Sequence, residues 1–412
     1  MNRLKGIVRP YAWGSRTAIA EMQGRPTPSP HPEAELWFGA HPAAPALVMG
    51  EHTDLLHVID ADPEAALGDQ VVQRFDGRLP FLLKVLAADE PLSLQAHPSA
   101  EQAAAGFAAD NAKGLAPDDP NRNYRDAWPK PELILALTDF EALAGFRDPE
   151  RTVALLRSLQ VPELDSSLGM LAGQPDHEGL RAVFTTWLTL PETVLSTLIP
   201  AVLDGATRVL AAGDTEFADE LRAVLQLGEL YPNDPGVLAA LLLNLVKLKP
   251  GEGTFLAAGN LHAYLHGTGV ELMANSDNVL RGGLTPKHVD VPELLKILDF
   301  TPVGRDQLVP KVESVGAERV YLTPAPQFRL SRVELDGTGM QHASTISFDM
   351  PGPQILIVTE GRIEVDGGGH KIKVESGQGL WLADADPDVL VRAASSHAVV
   401  FRARVPLGDD AS

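Results

Sequence analysis

The chain has 412 residues, of which 44% are hydrophobic and 22% charged, so it has enough material for more than one hydrophobic core. Its 55 acidic and 34 basic residues give a formal net charge of −21, which argues against nucleic acid or an anionic membrane as a partner. The chain contains no cysteine, so disulfides, thiolate zinc sites and cysteine nucleophiles are excluded. A metal would have to be held by imidazole, carboxylate, amide or water.

The first residues, MNRLKGIVRPYAWGS, show neither the apolar segment nor the small-residue cleavage site of a secretory signal. The most apolar window, residues 237–246, is about half as long as a membrane-spanning helix. We therefore expect a cytoplasmic protein without a membrane partner.

Residues 1 to about 145 are rich in Pro and Gly, with short apolar runs at 47–49, 79–86 and 133–137 between turn signals. This pattern predicts an all-β unit with long loops. Trp13 and Trp37 lie among small residues in this part of the chain, where they would either line a site or belong to the core.

The character of the chain changes near Arg147. The sequence Asp148-Pro149-Glu150 is a helix start, and Pro191-Glu192 opens a second helical segment. Asp234-Pro235 is predicted to open a last helix that runs through Val246. Residues 148–248 are therefore predicted to form a helical insertion, which carries few plausible catalytic groups.

After the insertion the pattern is that of strands again. Runs at 254–257 and 262–265 predict short strands, and residues 291–298 predict a helix. From residue 328 onward, alternating and apolar runs are separated by Glu-Gly and Ser-Gly pairs that predict turns, as in a jelly roll or small barrel. Residues 407–412 are predicted to be a frayed tail.

The stretch from 79 to 100 combines apolar and polar features. Lys84 lies inside an apolar run, where an ammonium group needs an anionic partner. If residues 93–97 are extended, Ser93, Gln95 and His97 project from one face. That face is either the wall of a polar pocket or a solvated strand surface.

A cysteine-free metal site could be assembled from four dispersed residues. Gln95 and His97 come from one strand, Glu132 is a natural carboxylate ligand, and His262 is a fourth candidate. The prolines on either side of Lys130 would hold it on the same face as Glu132. From the residues alone this set is only suggestive, since most of the 12 histidines need not be ligands and an amide is an uncommon one.

A third dense stretch lies between residues 269 and 288. It brings five polar residues together within eleven positions beside glycines: Glu271, Asn275, Asp277, Asn278 and Arg281. It is more polar than we expect of a core strand and too apolar for a disordered loop. The alternative to a functional site is a hydrogen-bonded loop that caps the barrel.

These stretches together resemble the class I mannose-6-phosphate isomerases, a family of zinc-dependent, cupin-type enzymes. The likeness rests on five segments in this order: residues 11–14 (YAWG), 35–42 (ELWFGAHP), 93–98 (SLQAHP), 130–133 (KPEL) and 271–286. Their order and separations fit the family along most of the chain, while the region after 320 fits most loosely.

The resemblance implies a mainly β fold with a helical insertion, made of two cupin or jelly-roll barrel units and an all-α domain. The catalytic cupin would comprise residues 1–147 and 249–325, the insertion 148–248, and a second, metal-free cupin 326–406. It also implies one Zn²⁺ per chain, held by Gln95, His97, Glu132 and His262. The remaining implied site residues are Arg281, Lys130, Glu271 and Asp277 as catalytic groups, and Ser93, Lys84 and Trp13 as substrate-binding groups.

The implied reaction interconverts D-mannose 6-phosphate and D-fructose 6-phosphate through a cis-enediol(ate), in a monomeric enzyme. Zinc would act as a Lewis acid, Arg281 would hold the enediolate or the phosphate, and Lys84 with Ser93 would grip the phosphate. The resemblance does not decide which group is the general base, and the candidates are Glu271, Asp277 and a lysine of depressed pKa. Some relatives have a histidine where this chain has Pro129, which argues against a proton carrier at that position.

Two other classes compete with this interpretation. An iron-dependent cupin oxygenase would use two histidines and a carboxylate, but Gln95 and the arginine-bearing loop argue against it. A sugar-sensing or storage cupin would bind without turnover, but the retention of all four candidate ligands together with Lys130 and Arg281 argues against decay.

Overall fold

The computed structural model describes residues 1–116, 118–213, 215–337, 344–349 and 351–408. Of the predicted tail at 407–412, residues 409–412 lie outside this set. The described chain is rich in sheet, and its longer helices are grouped between residues 149 and 230. This agrees with the prediction of a mainly β protein interrupted by a helical region.

The described residues form twenty strands. They are β1 (Asn2–Lys5), β2 (Ile7–Arg9), β3 (Glu35–Phe38), β4 (Leu47–Val48), β5 (Phe81–Ala88), β6 (Gln95–Ala96), β7 (Glu132–Ala136), β8 (Phe140–Phe146), β9 (Leu243–Leu248), β10 (Gly253–Leu256), β11 (His262–Ala274), β12 (Leu280–Arg281), β13 (Lys311–Val315), β14 (Glu318–Leu322), β15 (Arg329–Asp336), β16 (Thr345–Phe348), β17 (Gln354–Gly367), β18 (His370–Glu375), β19 (Gly379–Leu382) and β20 (Val389–Arg404).

Thirteen α-helices accompany them in the described ranges. They are α1 (Ala18–Met22), α2 (Leu55–Ala61), α3 (Pro63–Leu67), α4 (Asp69–Arg74), α5 (Ala100–Ala112), α6 (Pro149–Ser158), α7 (Asp165–Gly173), α8 (His177–Leu188), α9 (Glu192–Ala212), α10 (Ala218–Leu230), α11 (Gly236–Ala240), α12 (Val291–Ile297) and α13 (Arg305–Leu308).

The strands form two antiparallel sheets of ten strands each, which we call the first and second sheets. The first sheet has the order β10-β7-β11-β5-β3-β2, and the long strand β11 also pairs with β6 and β8, which in turn pair with β12 and β9. The second sheet has the order β13-β14-β15-β20-β17-β19-β1-β4, with β16 and β18 as side branches. Phe38 and Phe81 share one hydrophobic cluster with Phe328, Trp381 and Phe401, so the two sheets enclose a common core.

The N-terminal part of the chain is not purely β as predicted, because it contains the five helices α1 to α5. The longest of them, α5, begins with a capping box in which Ser99 accepts from the Gln102 backbone and Gln102 accepts from the Ser99 backbone. The Ser-x-x-Gln spacing was visible in the sequence and is a known helix-start signal. Helix α5 was nevertheless not predicted, because this Ala-rich segment has only a weak amphipathic pattern.

The predicted last helix of the insertion was wrong over its second half. Helix α11 ends at Ala240, and Leu243–Leu248 is strand β9, paired with β8 from Phe140↔Leu248 to Phe146↔Leu243. An unbroken apolar run has no periodicity that separates a buried helix from a buried strand. The edge of β8, which lies about 100 residues away in sequence, supplies the hydrogen-bond partners that make this segment a strand.

The helical region packs around a hydrophobic core that includes Leu155, Phe184 and Trp187. This core continues onto the first sheet through residues such as Phe146 of β8 and Ala263 of β11. The predicted starts are confirmed: Asp148 caps α6 by accepting from the Arg151 backbone, and Glu192 begins α9. Among the described residues, α9 alone has the length and apolar composition to cross a membrane, a test that the core helix of a soluble protein passes as well.

The predicted turn at Glu360-Gly361 is absent, because β17 continues through it as far as Gly367. The pairing with β20 shifts register between Val358 and Glu360 and again between Gly361 and Ile363. Gly361 has a φ of +72°, and a Cβ there would lie 2.0 Å from the His397 carbonyl oxygen. The glycine therefore makes a bulge in a continuous strand rather than a hairpin turn.

Candidate metal and sugar-phosphate site

Three buried side chains from different parts of the first sheet converge on one point. His97 directly follows β6, Glu132 begins β7 and His262 begins β11. The Nε2 atoms of His97 and His262 lie 3.3 Å from Glu132 Oε1 and Oε2, respectively. Their candidate ligand atoms lie within 4.8 Å of one another. The structure thus brings together three of the four predicted metal ligands.

Hydrogen bonds to backbone carbonyls define the tautomers of the two histidines. His97 Nδ1 lies 2.7 Å from the Asn278 carbonyl oxygen, and His262 Nδ1 lies 3.0 Å from the Asn260 carbonyl oxygen. Because a carbonyl oxygen only accepts, each Nδ1 donates its proton and leaves the Nε2 lone pair toward Glu132. His97 Nε2 is buried and has no hydrogen-bond partner.

The charge states suit a cation between these groups. Burial lowers the pKa of His97 to about 4, so its imidazole is neutral at neutral pH. Burial would raise the pKa of Glu132, but the Lys130 ammonium holds it well below its usual range. The Lys130 ammonium lies 3.0 Å from Glu132 Oε1, as the flanking prolines predicted. Two imidazole lone pairs and a carboxylate are a common ligand set for catalytic zinc, so the donors fit this ion.

The predicted fourth ligand, Gln95, lies beside this group in the short strand β6. It is directly opposite His262 of β11 on one side and Arg281 of β12 on the other. Directly opposite residues in antiparallel strands project to the same face. The strand pairing therefore places an amide and a guanidinium next to the histidine.

A cavity of about 710 Å³ lies against this part of the first sheet. Seven of the predicted site residues line it, namely Trp13, Lys84, Ser93, Gln95, Lys130, Asp277 and Arg281. The other four are buried, namely His97, Glu132, His262 and Glu271. Two of these buried residues form ion pairs with residues of the lining: Glu132 pairs with Lys130, and Glu271 pairs with Lys84.

Lys84 has the anionic partners that its sequence context demanded. Its Nζ lies 2.9 Å from Glu271 Oε2 and 3.8 Å from Glu35 Oε1. Burial alone would lower the pKa of Lys84, but Glu271 and Glu35 outweigh burial and raise it. Burial also raises the pKa of Glu271, whose other oxygen accepts from the Tyr264 hydroxyl at 2.8 Å. The ammonium is thus engaged with carboxylates, and its predicted role in gripping phosphate stays a prediction.

Glu271 corrects the expectation that the stretch from 269 is too polar for a core strand. Residues 269–274 belong to β11, where Glu271 is paired in register with Lys84 of β5. A buried carboxylate is tolerated there because a lysine and a tyrosine hydroxyl satisfy its oxygens. The loop that follows β11 is hydrogen-bonded, as the alternative interpretation held, through Ser276 and Asn278.

A cluster of three cations, Arg125, Arg281 and Lys287, lines the cavity. The pKa of Lys287 is lowered mainly by the nearby charge of Arg281, and further by burial and by Arg125. The pKa of Arg281 is lowered by burial and by Arg125. Like charges shift one another in this way only when they are close. None of the ion pairs within the described part of the chain joins these three to a carboxylate. The cluster can therefore accept an anion.

Sequence reasoning missed two members of this cluster. Lys287 lies six residues after Arg281 in the dense polar stretch 269–288, so the sequence offered it as a candidate site residue. Arg125 lies five residues before Lys130 in a segment with no pattern that pointed to it. Only the folded chain brings it to the other two.

Asp277 lies on the cavity wall with a histidine partner that the sequence did not indicate. The Ala43 backbone N–H donates to His41 Nδ1 at 3.1 Å, which leaves the His41 Nε2–H toward Asp277 Oδ1 at 3.3 Å. This hydrogen bond holds the pKa of Asp277 below its usual value. Asp277 is thus an ionised carboxylate at neutral pH.

Aromatic rings form another wall of the cavity. Trp13 stacks on Tyr11 with ring centroids 5.7 Å apart, and the Arg9 guanidinium lies 5.0 Å from the Trp37 ring centre. Trp37 also donates from its indole nitrogen to Glu35 at 2.6 Å. The structure therefore places Trp13 at the cavity, as predicted, and puts Trp37 in contact with the buried charges.

Fold and site define a class: β-sheet proteins with a buried imidazole–carboxylate metal site beside a cavity that accepts a small anion. Residues 1–149 match the family model described as phosphomannose isomerase type I, catalytic domain. The chain is 38% identical to mannose-6-phosphate isomerase of Escherichia coli (strain K12) over 404 residues, 97% of this chain and 99% of that one. It is 40% identical to the Salmonella typhimurium enzyme of the same name over 369 residues, 88% of this chain and 92% of that one.

A crystal structure of mannose 6-phosphate isomerase bound with zinc and yttrium has the same fold. Its TM-score is 0.88 at 35% identity, covering 99% of this chain and 100% of that one. Identity at this level over nearly the full length of both chains shows common family membership. The chain belongs to the mannose-6-phosphate isomerase family.

Proposed function

We propose that this chain is a zinc-dependent isomerase that interconverts D-mannose 6-phosphate and D-fructose 6-phosphate through a cis-enediol(ate). The observation that carries the proposal is the convergence of the His97 and His262 lone pairs on ionised Glu132, beside a cavity whose lining includes the cationic cluster. Family membership and the zinc in the related crystal structure support the same reaction and the same metal. The predicted cytoplasmic location and monomeric state stay predictions.

For the fold, we propose two cupin or jelly-roll barrel units and an all-α domain. The succession of helices α6 to α11, which pack against the first sheet in one shared hydrophobic cluster, supports the α domain. Because β9 pairs with β8, we place the end of the helical insertion near residue 240 rather than at 248. Strands β1 and β4 pair within the second sheet, so the segment 1–147 contributes to both units rather than to the catalytic unit alone.

His97, Glu132, His262 and Gln95 are the residues that would hold the zinc ion. When bound, zinc supplies Lewis acidity that polarises substrate oxygens and stabilises negative charge on them. The carbonyls of Asn278 and Asn260 hold the two imidazoles in the tautomer that such binding requires. Lys130 keeps Glu132 ionised without occupying both of its oxygens.

The cationic cluster would divide its work between the two ends of the substrate. Arg281 is directly opposite Gln95, which places it nearest the metal ligands, so we assign it to the oxygens that become negative in the enediolate. Arg125 and Lys287 would then bind the phosphate, with Ser93 as a neutral donor on the same cavity wall. This assignment replaces Lys84, whose ammonium is already paired.

Asp277 and Glu271 are the carboxylates available for proton transfer. Asp277 lines the cavity, but its lowered pKa makes it a weak base. Glu271 has the raised pKa of a stronger base, but Lys84 and Tyr264 occupy its oxygens. We propose that Asp277 exchanges protons with substrate hydroxyls and that the Lys84–Glu271 pair sets the charge of the cavity floor. Trp13 would pack against the sugar.

A coupled assay of mannose 6-phosphate conversion to fructose 6-phosphate, run before and after chelation, tests the proposal. We expect activity in the purified protein, loss on chelation and recovery on adding Zn²⁺. Recovery with Fe²⁺ alone would contradict the zinc assignment. Binding of zinc and hexose phosphate without turnover would show a sugar-binding protein instead of an isomerase.

A further inference from the structure

Asn278 lies at the junction between the loop after β11 and the segment that leads into Glu132. Its side chain is fully buried, with a relative exposure of 0%. The Oδ1 atom accepts from the backbone N–H groups of Arg125 at 2.8 Å and Asp126 at 3.3 Å. The Nδ2 atom donates to the carbonyl oxygens of Asp126 at 2.8 Å and Trp128 at 2.9 Å. These four bonds use the full capacity of the amide.

The segment held in this way continues directly into a metal ligand. Residues 125–128 are followed by Pro129, Lys130, Pro131 and Glu132, and the two prolines restrict the backbone between the anchor and the carboxylate. The Asp126 carboxylate adds a second connection, since it accepts from Ser276 Oγ and from the Asp277 backbone N–H, both at 2.8 Å. The approach of Glu132 to the site is therefore tied to the loop after β11.

The backbone of Asn278 reaches the opposite ligand. Its carbonyl oxygen accepts from His97 Nδ1 at 2.7 Å, and this bond defines which nitrogen of His97 faces the metal position. One residue thus orients His97 through its main chain and anchors the Glu132 segment through its side chain.

We propose that Asn278 is a positioning residue that sets the metal affinity of the site by holding His97 and Glu132 in register. This inference rests on the proposed function for the identity of the metal. Outer contacts of this kind change metal affinity by about 10- to 100-fold when they are removed. Because the carbonyl of residue 278 survives any substitution, a loss in a side-chain variant reports the anchoring of the Glu132 segment.

The test compares Asn278→Ala with Asn275→Ala in the full chain. Asn275 is an asparagine of the same loop whose side chain donates from Nδ2 to the Leu79 carbonyl oxygen at 3.3 Å and makes no hydrogen bond to the described residues 125–132. Each metal-free protein is titrated with Zn²⁺ in competition with a chromophoric chelator, and Co²⁺ is added separately to record its absorption spectrum. We expect Asn278→Ala to bind Zn²⁺ about 10- to 100-fold more weakly, with an altered Co²⁺ spectrum, and Asn275→Ala to match the parent chain.

Asn278→Asp provides a second variant if the alanine protein does not fold. The aspartate keeps the two acceptor bonds but turns a carboxylate oxygen toward the Asp126 and Trp128 carbonyl oxygens, so we expect a loss of zinc affinity in the same direction. Thermal unfolding of the metal-free proteins shows which variants are folded. Failure of both variants to fold would overturn the proposal in favour of a purely structural role.

Four further outcomes separate this inference from the proposed function. Equal zinc affinity and equal Co²⁺ spectra in Asn278→Ala and the parent would overturn the positioning role alone. An equal loss in Asn275→Ala would also overturn it, because any change in the loop would then weaken the site. A parent chain that binds no zinc would remove the metal assignment and this inference together, whereas zinc binding without isomerase activity would remove only the proposed reaction.

Discussion

The two sheets bury charged groups in different ways. The first sheet brings His97, Glu132 and His262 together so that two imidazole lone pairs face a carboxylate. The second sheet buries Arg402, whose guanidinium donates to Gln354 Oε1 at 2.8 Å and lies 3.2 Å from Glu318 Oε1. The buried charges of Arg402 and Glu318 in the second sheet neutralise each other, while the first sheet presents a carboxylate and two imidazole lone pairs that suit a cation.

This difference follows from the donor chemistry of the side chains. A guanidinium carries only donors and stays protonated, so Arg402 cannot ligate a metal and instead donates to the acceptors Gln354 and Glu318. Imidazole and carboxylate present lone pairs and can ligate. Within the described ranges, the one group of histidine and carboxylate side chains arranged to hold a metal is in the first sheet. Similar strand scaffolds thus serve either chemistry or packing, according to which side chains point inward.

Removing one imidazole is the strongest test of this difference between the two sheets. We expect His262→Ala to lose bound zinc and to lower kcat/KM by more than about 10³-fold, beyond the loss typical of a single stabilising donor. Metal analysis and the coupled assay measure both effects. His266→Ala is the control, since His266 belongs to the same strand but is exposed. Full activity without metal in His262→Ala would contradict the zinc assignment.

The corresponding change in the second sheet should affect stability and leave chemistry intact. Arg402→Ala leaves the buried Glu318 carboxylate without its cation, which costs about 3–5 kcal/mol of the free energy of unfolding. Urea unfolding measures the loss, and we expect the kcat of the folded fraction to be unchanged. Arg392→Ala on the same strand is the control, because its pair with Glu364 is at the surface. A fall in kcat matching that of His262→Ala would contradict the division between the sheets.

Arg281 tests whether the cationic cluster acts on the transition state. We expect Arg281→Ala to lower kcat by about 10²–10³-fold while zinc stays bound, because Arg281 would stabilise charge that develops during the reaction. Steady-state kinetics and metal content of the same preparation measure the two quantities. Arg319→Ala, an exposed arginine of the second sheet, is the control. Loss of zinc from Arg281→Ala would show that the residue supports the metal site instead.

The smallest expected effect is a pH dependence that only the first sheet should show. Burial lowers the pKa of His97 to about 4, below its ordinary value of about 6.5. Between these values the unfolded metal-free chain binds more protons than the folded chain, so stability is full above about pH 6.5 and falls as the pH drops toward 4. The contribution of this one group is about 3 kcal/mol.

His97→Asn removes this titration and isolates it from other groups. Unfolding free energies of the metal-free proteins, measured by urea between pH 4 and 7, should fall less steeply for His97→Asn than for the parent chain. The control is His370→Asn, which changes an exposed histidine in β18 of the second sheet. Identical slopes for His97→Asn and the parent would refute the assignment.

Much of the candidate site was predictable because its residues carry chemical signatures that survive without the fold. Lys84 in an apolar run demanded an anion, and the structure supplies Glu271. The prolines around Lys130 implied a short distance to Glu132, which is confirmed at 3.0 Å. Helix starts at Asp148 and Glu192 were also readable, since caps act locally.

Where sequence reasoning failed, the cause was a contact over a long sequence distance. The apolar residues 243–248 fit a helix or a strand equally, and pairing with β8 decided for a strand. Glu271 looked too polar for a core strand because its partner Lys84 becomes its neighbour only through sheet register. Arg125 carried no local signal for the cationic cluster that it joins.

The sequence by itself determined which groups could do chemistry: imidazoles, carboxylates and an amide without any thiol, and a family pattern spread along most of the chain. Tertiary structure alone decided which of them meet, in which tautomer and at which charge. The physical reason is that donor type is a property of one side chain, whereas lone-pair direction, pKa and ion pairing depend on neighbours. Asn278 shows this most clearly, since its importance lies in bonds to segments about 150 and 180 residues away.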